Sequence, residues 1–380
     1  MKLTGTWLDC PETQQLCAIL ADGGFAALMV GGAVRNALLG MPVADVDIAT
    51  DTLPQTVSEL AQRAGLRVVP TGIEHGTVTV LVGAKSYEVT SFRRDLHTDG
   101  RRAVVGFGAS LAEDAARRDF TMNALYARAD GTVIDPLGGL PDLMARRVRF
   151  VGEPAARIAE DYLRILRFFR FHATHGDPDQ GVDAEGLAAC AALVAGIDRL
   201  SRERIGVELR KLLAASDPAP AVAAMASAGV LAQVLPGADA TGLAVLVHLE
   251  GEVPPDWLRR LVILGGDDPT DALRLSRGES RDWALLRDLI GGAEGPGELA
   301  YRHRLARATD TLLLRATLRE ADLPPYWQDA MARGAMARFP VAAADLMPAL
   351  AGPALGARLA ELEKAWIESD FTLTKDQLLN

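Results

Sequence analysis

The chain has 380 residues, of which 49% are hydrophobic and 24% are charged, a composition typical of folded globular domains. No segment reaches the ~18 consecutive apolar residues of a membrane helix, and residues 1–10 lack the apolar core of a signal peptide. The sequence therefore predicts neither membrane insertion nor secretion. The three cysteines, Cys10, Cys17 and Cys190, form no disulfide or zinc pattern, which favours reduced thiols and a cytoplasmic location.

The net charge of −10 argues against general binding to nucleic acid, because neutralising phosphates requires lysine and arginine. The basic residues are nevertheless clustered. Residues 144–171 contain seven arginines and three acidic residues, and further basic clusters lie at 93–102 and 199–211. Any one cluster fits an ordinary solvated helix face, but three of them close to motifs that carry chemistry predict a basic channel.

The first 135 residues alternate between strand and helix patterns, whereas the remainder has helical spacing. This predicts an α+β fold with a mixed-sheet head at 1–135, a helical neck at 136–215 and a helical body and tail at 216–380. The predicted strands are 25–30, 43–48, 77–82, 87–92 and 132–134, and the predicted helices include 33–39, 54–65, 153–172, 187–195 and 201–215.

Gly31 and Gly32 lie between a predicted strand and a predicted helix. Glycines at such a turn let the backbone approach a phosphate, and the N–H groups that begin the helix can donate to it. Arg35, on the same helix, could add a charge-assisted contact to a triphosphate. A Gly-Gly pair by itself is more often an ordinary tight turn, so this interpretation depends on the chemistry of the neighbouring residues.

Asp45 and Asp47 come after this turn on a predicted strand, where side chains at i and i+2 share one face. Two adjacent carboxylates repel each other unless a cation lies between them, and oxygen ligands select a hard ion such as Mg²⁺. In phosphoryl transfer such ions activate the attacking oxygen and stabilise the leaving one. Glu88, on a later predicted strand, is a candidate third carboxylate, or equally a solvent-facing residue.

The segment Val30–Arg35, together with Asp45–Asp47, resembles the head signature of the bacterial tRNA nucleotidyltransferase and poly(A) polymerase family. The resemblance implies a nucleotidyltransferase-fold head with a mixed β-sheet, followed by an all-α neck, body and tail. Where the family usually has aspartate, this chain has Asn36, which keeps an acceptor oxygen without the charge. Four further segments resemble later motifs of the family in the same order, namely 87–93, 117–124, 160–167 and 203–209.

The resemblance also implies that the protein itself selects the incoming base. Asp161 and Arg164 would do so from one predicted helix, on which a spacing of three puts them on neighbouring faces. Carboxylate accepts and guanidinium donates, so the pair can read the amino group and ring nitrogen of cytosine or adenine. Uracil and guanine present a carbonyl in place of that amino group. Arg118, Arg167 and Arg170 are further nucleotide-binding candidates, with Arg170 expected to meet a phosphate or to position the neck.

The predicted activity is Mg²⁺-dependent, template-independent addition of C, C and A to the 3′ end of tRNA from CTP and ATP, with release of pyrophosphate. The polar segment Arg94–Arg102 reads as a mobile loop of full length, which in the family favours the complete CCA activity. The alternatives are a poly(A) polymerase and a non-catalytic RNA-binding protein, although pure binding gives no reason to keep both Asp45 and Asp47. No protein partner is indicated.

Overall fold

The computed structural model describes residues 1–99 and 102–380, and the side chains of all of these except those within 95–105. The chain divides into two compact units, Met1–Pro236 and Gly237–Asn380. The predicted boundaries after residues 135 and 215 divide the chain more finely and stay predictions. No helix in the described part of the chain is long and apolar enough to cross a membrane.

The strands of the first unit form a seven-stranded sheet and a separate two-stranded ribbon. In chain order they are β1 (Leu28–Val30), β2 (Asp47–Thr50), β3 (Arg67–Gly72), β4 (Thr77–Val82), β5 (Lys85–Ser91), β6 (Arg93–Asp99), β7 (Arg102–Phe107), β8 (Tyr126–Arg128) and β9 (Val133–Ile134). The sheet has the order β3-β4-β5-β2-β1-β8-β9, in which β2 and β5 are parallel and the other neighbours are antiparallel. The predicted mixed sheet is thereby confirmed.

Three parts of the head differ from the strand pattern expected of the sequence. Strands β3 and β8 are present where no strand was expected. The predicted strand at 43–48 is shorter and begins only at Asp47, which leaves Asp45 in irregular backbone. The segment predicted as a mobile loop, Arg94–Arg102, contributes most of its length to the antiparallel strands β6 and β7; its residues 100 and 101 lie outside the described residues.

The helices of the first unit are α1 (Pro11–Asp22), α2 (Gly32–Leu38), α3 (Pro54–Arg63), α4 (Leu111–Ala116), α5 (Leu140–Met144), α6 (Pro154–Glu160), α7 (Leu163–His175), α8 (Ala184–Ala192), α9 (Arg202–Leu213), α10 (Ala219–Ser227) and α11 (Val230–Val234). Among them, α2 and α3 pack against strands of the sheet, and the later ones form the neck. A 3-10 helix, Val194–Arg199, lies between α8 and α9.

The two faces of the sheet determine where its carboxylates lie. Side chains alternate between faces along a strand, and Ile48 on β2 and Val89 on β5 are both fully buried. The two strands pair in parallel with Ile48 opposite Val89. Asp47 and Glu88 each precede these residues by one position, so both carboxylates emerge on the opposite face, side by side and exposed.

The second unit is helical within the described residues, which completes the predicted α+β fold. Two arginines in its interior, Arg259 and Arg260, contact the buried carboxylate of Glu250 at 2.6 and 2.7 Å. Desolvated charges persist in a core only when they are paired in this way. Its helices are α12 (Thr241–Glu250), α13 (Trp257–Leu264), α14 (Arg277–Ile290), α15 (Pro296–Arg302), α16 (Leu305–Leu318), α17 (Trp327–Met336), α18 (Gly352–Glu368) and α19 (Lys375–Leu379).

Candidate active site

The glycine turn comes directly after β1 and brings two arginines over its backbone. Gly31 has a φ of 66°, a left-handed conformation that residues with a Cβ adopt at a cost. A Cβ built on Gly31 would lie 3.6 Å from the Arg118 guanidinium, and one on Gly32 would lie 3.7 Å from the Arg35 guanidinium. The structure therefore brings together four predicted nucleotide-binding residues, Gly31, Gly32, Arg35 and Arg118, although they come from two distant parts of the chain.

Asp47 lies beside this turn because it pairs with Val30, the residue that precedes Gly31. Although the residue as a whole is exposed, partial burial of its carboxylate and the charge of Glu88 raise the pKa of Asp47. Asp45 acts in the same direction, whereas Arg118 opposes the shift. The site thus concentrates negative charge, the condition under which carboxylates bind a cation.

The described residues contain no group of three or more His, Cys, Asp and Glu side chains that could hold a metal ion. The donor set at the glycine turn is nevertheless all oxygen, which suits a hard divalent ion. An ion held by Asp45 and Asp47 would complete its coordination with water and substrate oxygens. Direct ligation by Glu88 stays a prediction, while its effect on Asp47 through charge follows from their adjacent positions.

A buried carboxylate that the sequence analysis missed holds Arg118 in place. Asp114, only 1% exposed, accepts from Arg118 at 3.2 Å and pairs with Arg117 at 2.8 Å. Arg118 also donates to the hydroxyl of Tyr126 at 3.0 Å, and this hydroxyl in turn donates to Asp114. Burial alone would raise the pKa of Asp114, but the two arginines bring it below its ordinary value. The i, i+4 spacing of Asp114 and Arg118 was a readable signal for this pair.

Arg35 is buried and donates to two asparagines, Asn36 and Asn123. Burial, together with the nearby charges of Arg167 and Arg170, lowers the pKa of Arg35 to about 10. Asn36 also donates to the carbonyl of Pro42, at the start of the segment that carries Asp45. Asn36, which stands where the family usually has aspartate, therefore links Arg35 to the segment that carries Asp45 without adding a negative charge.

The neck places Asp161 differently from the prediction. A continuous helix over 153–172 is wrong, because α6 ends at Glu160, α7 begins at Leu163, and Asp161 is extended with φ −153° and ψ 105°. Consequently Asp161 lies outside the helix that carries Arg164, and the predicted placement of both residues on one helix is wrong. The Asp161 carboxylate accepts from the Leu163 N–H at 3.1 Å and from Arg204 at 2.7 Å.

Arg164 is oriented by acceptors on other elements. It donates to Glu160 at 2.5 Å, to the carbonyl of Arg157 at 2.6 Å and to the carbonyl of Arg117 at 3.3 Å. Among the described residues, these contacts occupy three of its five N–H groups. The remaining donors suit the ring nitrogen of a base. Glu160 was not among the predicted residues, although its i, i+4 spacing to Arg164 was readable.

Arg167 connects the neck to the head, and Arg170 connects two helices of the neck. Arg167 donates to Asp119 through Nε at 2.9 Å, and Arg170 pairs with Glu208 on α9 at 2.5 Å. Both guanidiniums, and that of Arg35, lie within 5.3 Å of the Phe171 ring centre, so they form a basic cluster around one aromatic side chain. Glu208 was missed because no local spacing pairs it with residues 38 or more positions away.

Replacing Asp119 with asparagine is expected to destabilise the first unit by about 2–4 kcal/mol, because its partner Arg167 would lose its main counter-charge. The Asp119 carboxyl is 11% exposed. Burial would raise its pKa, but Arg167 and Asn123 bring it below its ordinary value. A lowered pKa stabilises the folded state above about pH 4, and that stabilisation is lost as the pH falls through the lowered value.

Urea titrations at pH 7 and pH 3, monitored by hydrogen exchange in α7, measure the free energy of unfolding of Asp119→Asn and of wild type. The loss of stability in the variant is expected to be full at pH 7 and smaller at pH 3. The control is Glu59→Gln, since Glu59 forms an exposed pair with Arg63 that is worth less than about 0.5 kcal/mol. Equal stability of Asp119→Asn and wild type at pH 7 would show that the pair does not hold the head to the neck.

Comparison with known proteins identifies the family. Residues 27–149 match the family described as the poly(A) polymerase head domain, and residues 182–241 match a probable RNA and SrmB-binding site of polymerase A. The mitochondrial CCA tRNA nucleotidyltransferase 1 of Mus musculus is 33% identical over 98% of this chain and 92% of its own. The CCA-adding enzyme of Streptococcus gordonii is 44% identical over 57% of this chain and 53% of its own.

A solved structure agrees in fold with the chain. The crystal structure of the Bacillus stearothermophilus CCA-adding enzyme in complex with CTP has a TM-score of 0.74 and 29% identity, and the match covers 94% of this chain and 93% of that one. The resemblance inferred from the motifs is therefore confirmed. The chain belongs to the tRNA nucleotidyltransferase and poly(A) polymerase family, and within it to the CCA tRNA nucleotidyltransferases.

Proposed function

We propose that this enzyme adds C, C and A to the 3′ end of tRNA, using CTP and ATP and releasing pyrophosphate at each step. The observation that carries the reaction type is the position of Asp47 beside a glycine turn covered by Arg35 and Arg118, with the charge of Asp45 close enough to raise the pKa of Asp47. Carboxylates suited to a metal ion and cations suited to a triphosphate thus share one site. The order of addition comes from the relatives, which are named for the CCA sequence.

The family implies a divalent metal ion, and the ion we propose is Mg²⁺, which prefers oxygen ligands and phosphate substrates. When bound, it would polarise the reacting phosphate and lower the pKa of the attacking hydroxyl. Asp45 and Asp47 would hold it, with Glu88 next to Asp47. Arg35 and Arg118 would neutralise the triphosphate over the glycine turn. A bond forms between the tRNA 3′ oxygen and the α-phosphorus, the bond to pyrophosphate breaks, and the hydroxyl proton leaves to solvent.

Base choice would come from the neck. Asp161 accepts from the exocyclic amino group that cytosine and adenine share, and Arg164 donates to the adjacent ring nitrogen. Two hydrogen bonds already reach the Asp161 carboxylate, and a carboxylate has about four acceptor positions, so it can still accept from a base. A uracil or guanine carbonyl at that position would leave the carboxylate unpaired, at a cost of about 1–3 kcal/mol.

The test supplies purified protein with a tRNA that lacks its terminal CCA, together with Mg²⁺, CTP and ATP, and sequences the products. We expect C, C and A and then a stop. EDTA should end the reaction and added Mg²⁺ should restore it. A long A tail on unrelated RNA would instead identify a poly(A) polymerase, and the absence of any product would leave only RNA binding. A cytoplasmic location stays a prediction from the cysteine content.

A further inference from the structure

The two base-reading side chains are supported by different parts of the neck. The partners of Arg164 are Glu160 and two backbone carbonyls, those of Arg157 and Arg117. Asp161 lies in the break between α6 and α7 with extended backbone, and its carbonyl accepts from the Arg164 N–H at 3.0 Å. Its Oδ1 accepts from the Leu163 N–H, while its Oδ2 accepts from Arg204 on α9. The orientation of Oδ2 therefore depends on a residue 43 positions away.

The Asp161–Arg204 contact is well suited to orient a carboxylate. Its N–O distance is 2.7 Å, and the two side chains are 27% and 30% exposed. A charge-assisted hydrogen bond at this partial burial is stronger and more directional than a solvated surface pair. Because one face of the pair remains open, Asp161 stays accessible to a base while it is held.

Tyr162, the residue after Asp161, contacts the segment that precedes α9, the helix that carries Arg204. A Cβ built on Gly196 would lie 1.9 Å from a carbon of the Tyr162 ring, so the ring packs directly on the glycine backbone. The Arg199 guanidinium lies 5.6 Å from the centre of that ring. Gly196, Arg199 and Arg204 thus contact the side chains of two successive residues at the break between α6 and α7.

We propose that Arg204 is a positioning residue for base selection, which orients Asp161 so that Oδ2 meets the amino group of cytosine or adenine. This inference rests on the proposed function. Without Arg204, the Asp161 side chain can rotate about its Cα–Cβ and Cβ–Cγ bonds. The preference for bases that carry an amino group, cytosine and adenine, over bases that carry a carbonyl there, uracil and guanine, is then reduced. Arg204 itself does not contact the base, so the phosphate chemistry continues.

The test measures kcat and KM for CTP and UTP on tRNA lacking CCA, and for ATP and GTP on tRNA ending in CC. Arg204→Ala is expected to raise KM for CTP and ATP while kcat stays within about 3-fold, and to lower the CTP-over-UTP and ATP-over-GTP ratios of kcat/KM by about 10- to 100-fold. Arg204→Lys keeps a cationic donor and should recover part of both ratios. The matched control is Arg202→Ala, because Arg202 is exposed on the same helix and should leave the ratios unchanged.

A double-mutant cycle separates positioning from a general structural role. If Arg204 acts through Asp161, Arg204→Ala should change the ratios little in an Asp161→Ala background. Additive losses, or an equal loss for all four nucleotides, would overturn the proposal, as would wild-type ratios in Arg204→Ala. A lower KM for CTP in that variant would also contradict it, because Arg204 would then be competing with the base.

Failure of the proposed function gives a different result. Wild-type protein that adds only A would refute CCA addition, and Arg204 would still be tested by the ATP-over-GTP ratio. Wild-type protein that transfers nothing would refute the enzymatic proposal. The same variants would then be compared by calorimetric binding of CTP and UTP, where an unchanged preference in Arg204→Ala would refute the positioning role.

Discussion

Replacing Asp47 with asparagine is expected to reduce nucleotide transfer by about 10³-fold or more while the protein remains folded. The substitution keeps the size of the side chain but removes one of the two charges that we assign to the metal ion. CTP should still bind, because Arg35 and Arg118 over the glycine turn are unchanged. The loss should therefore appear in kcat and not mainly in KM, when transfer to tRNA lacking CCA is measured.

The stability of Asp47→Asn should move in the opposite direction from its activity. The pKa of Asp47 is raised, so its ionised form is disfavoured in the folded protein. Removing that charge is expected to stabilise metal-free protein slightly at pH 7, and the gain should shrink as the pH falls through the raised pKa. Thermal unfolding in EDTA measures this. Stability lost at sites of concentrated like charge is typical of functional sites.

The control for this experiment is Asp22→Asn, an exposed aspartate at the end of α1, which should change neither transfer nor stability. Glu88→Gln tests the third carboxylate, and a loss comparable to that of Asp47→Asn would favour direct ligation over an effect through charge. If Asp47→Asn kept more than about a tenth of wild-type kcat, the assignment of the metal site to Asp45 and Asp47 would be wrong.

Replacing Arg164 with alanine is expected to reduce base selectivity more than it reduces the rate of nucleotide transfer. The variant loses the donor to the ring nitrogen, so the preferences for CTP over UTP and for ATP over GTP should fall by about 10- to 100-fold. The fold should tolerate the change, because Glu160 keeps its ion pair with Arg157 and no buried charge is left unpaired.

Products sequenced after reactions with mixed nucleotides would show misincorporated U and G. The matched control is Arg149→Ala, because Arg149 is exposed in the same basic stretch and should alter RNA affinity equally for all four nucleotides. Full fidelity in Arg164→Ala would contradict the assignment of base reading to this pair. Comparison with Arg204→Ala then distinguishes loss of the donor from misorientation of the acceptor.

The sequence by itself predicted the fold class, which the structure confirms, and named the candidate residues of the reaction site. Gly31, Gly32, Asp45 and Asp47 are close in the chain, and short-range spacing predicts which side chains share a face. The strand over Thr77–Val82 was predicted with the bounds that the structure has, because alternation along a half-buried strand is a strong local signal. The family motifs then supplied the order of head and neck and the candidates for base choice.

The tertiary structure decided how those residues are held. The helix break at Asp161 was not readable, because residues 153–172 have helical spacing on both sides of it and the extended residue is stabilised by Arg204 on α9. Strand β8 is only three residues long and is stabilised by pairing with β1 and β9. In both cases long-range contacts override local preference.

The contrast between what the local sequence predicts and what tertiary contacts decide also applies to the charged residues. The sequence identified Arg118, Arg167 and Arg170 as binding candidates. The i, i+4 spacing of Asp114 to Arg118 was readable, whereas the partners of Arg167 and Arg170, Asp119 and Glu208, became evident only in the fold. Asp114 and Glu208 are buried, and a buried carboxylate persists only where arginines reach it. Local spacing predicts which residues could perform the chemistry and also the i, i+4 partners of Arg118 and Arg164. The partners of Asp161, Arg167 and Arg170 come from distant parts of the chain.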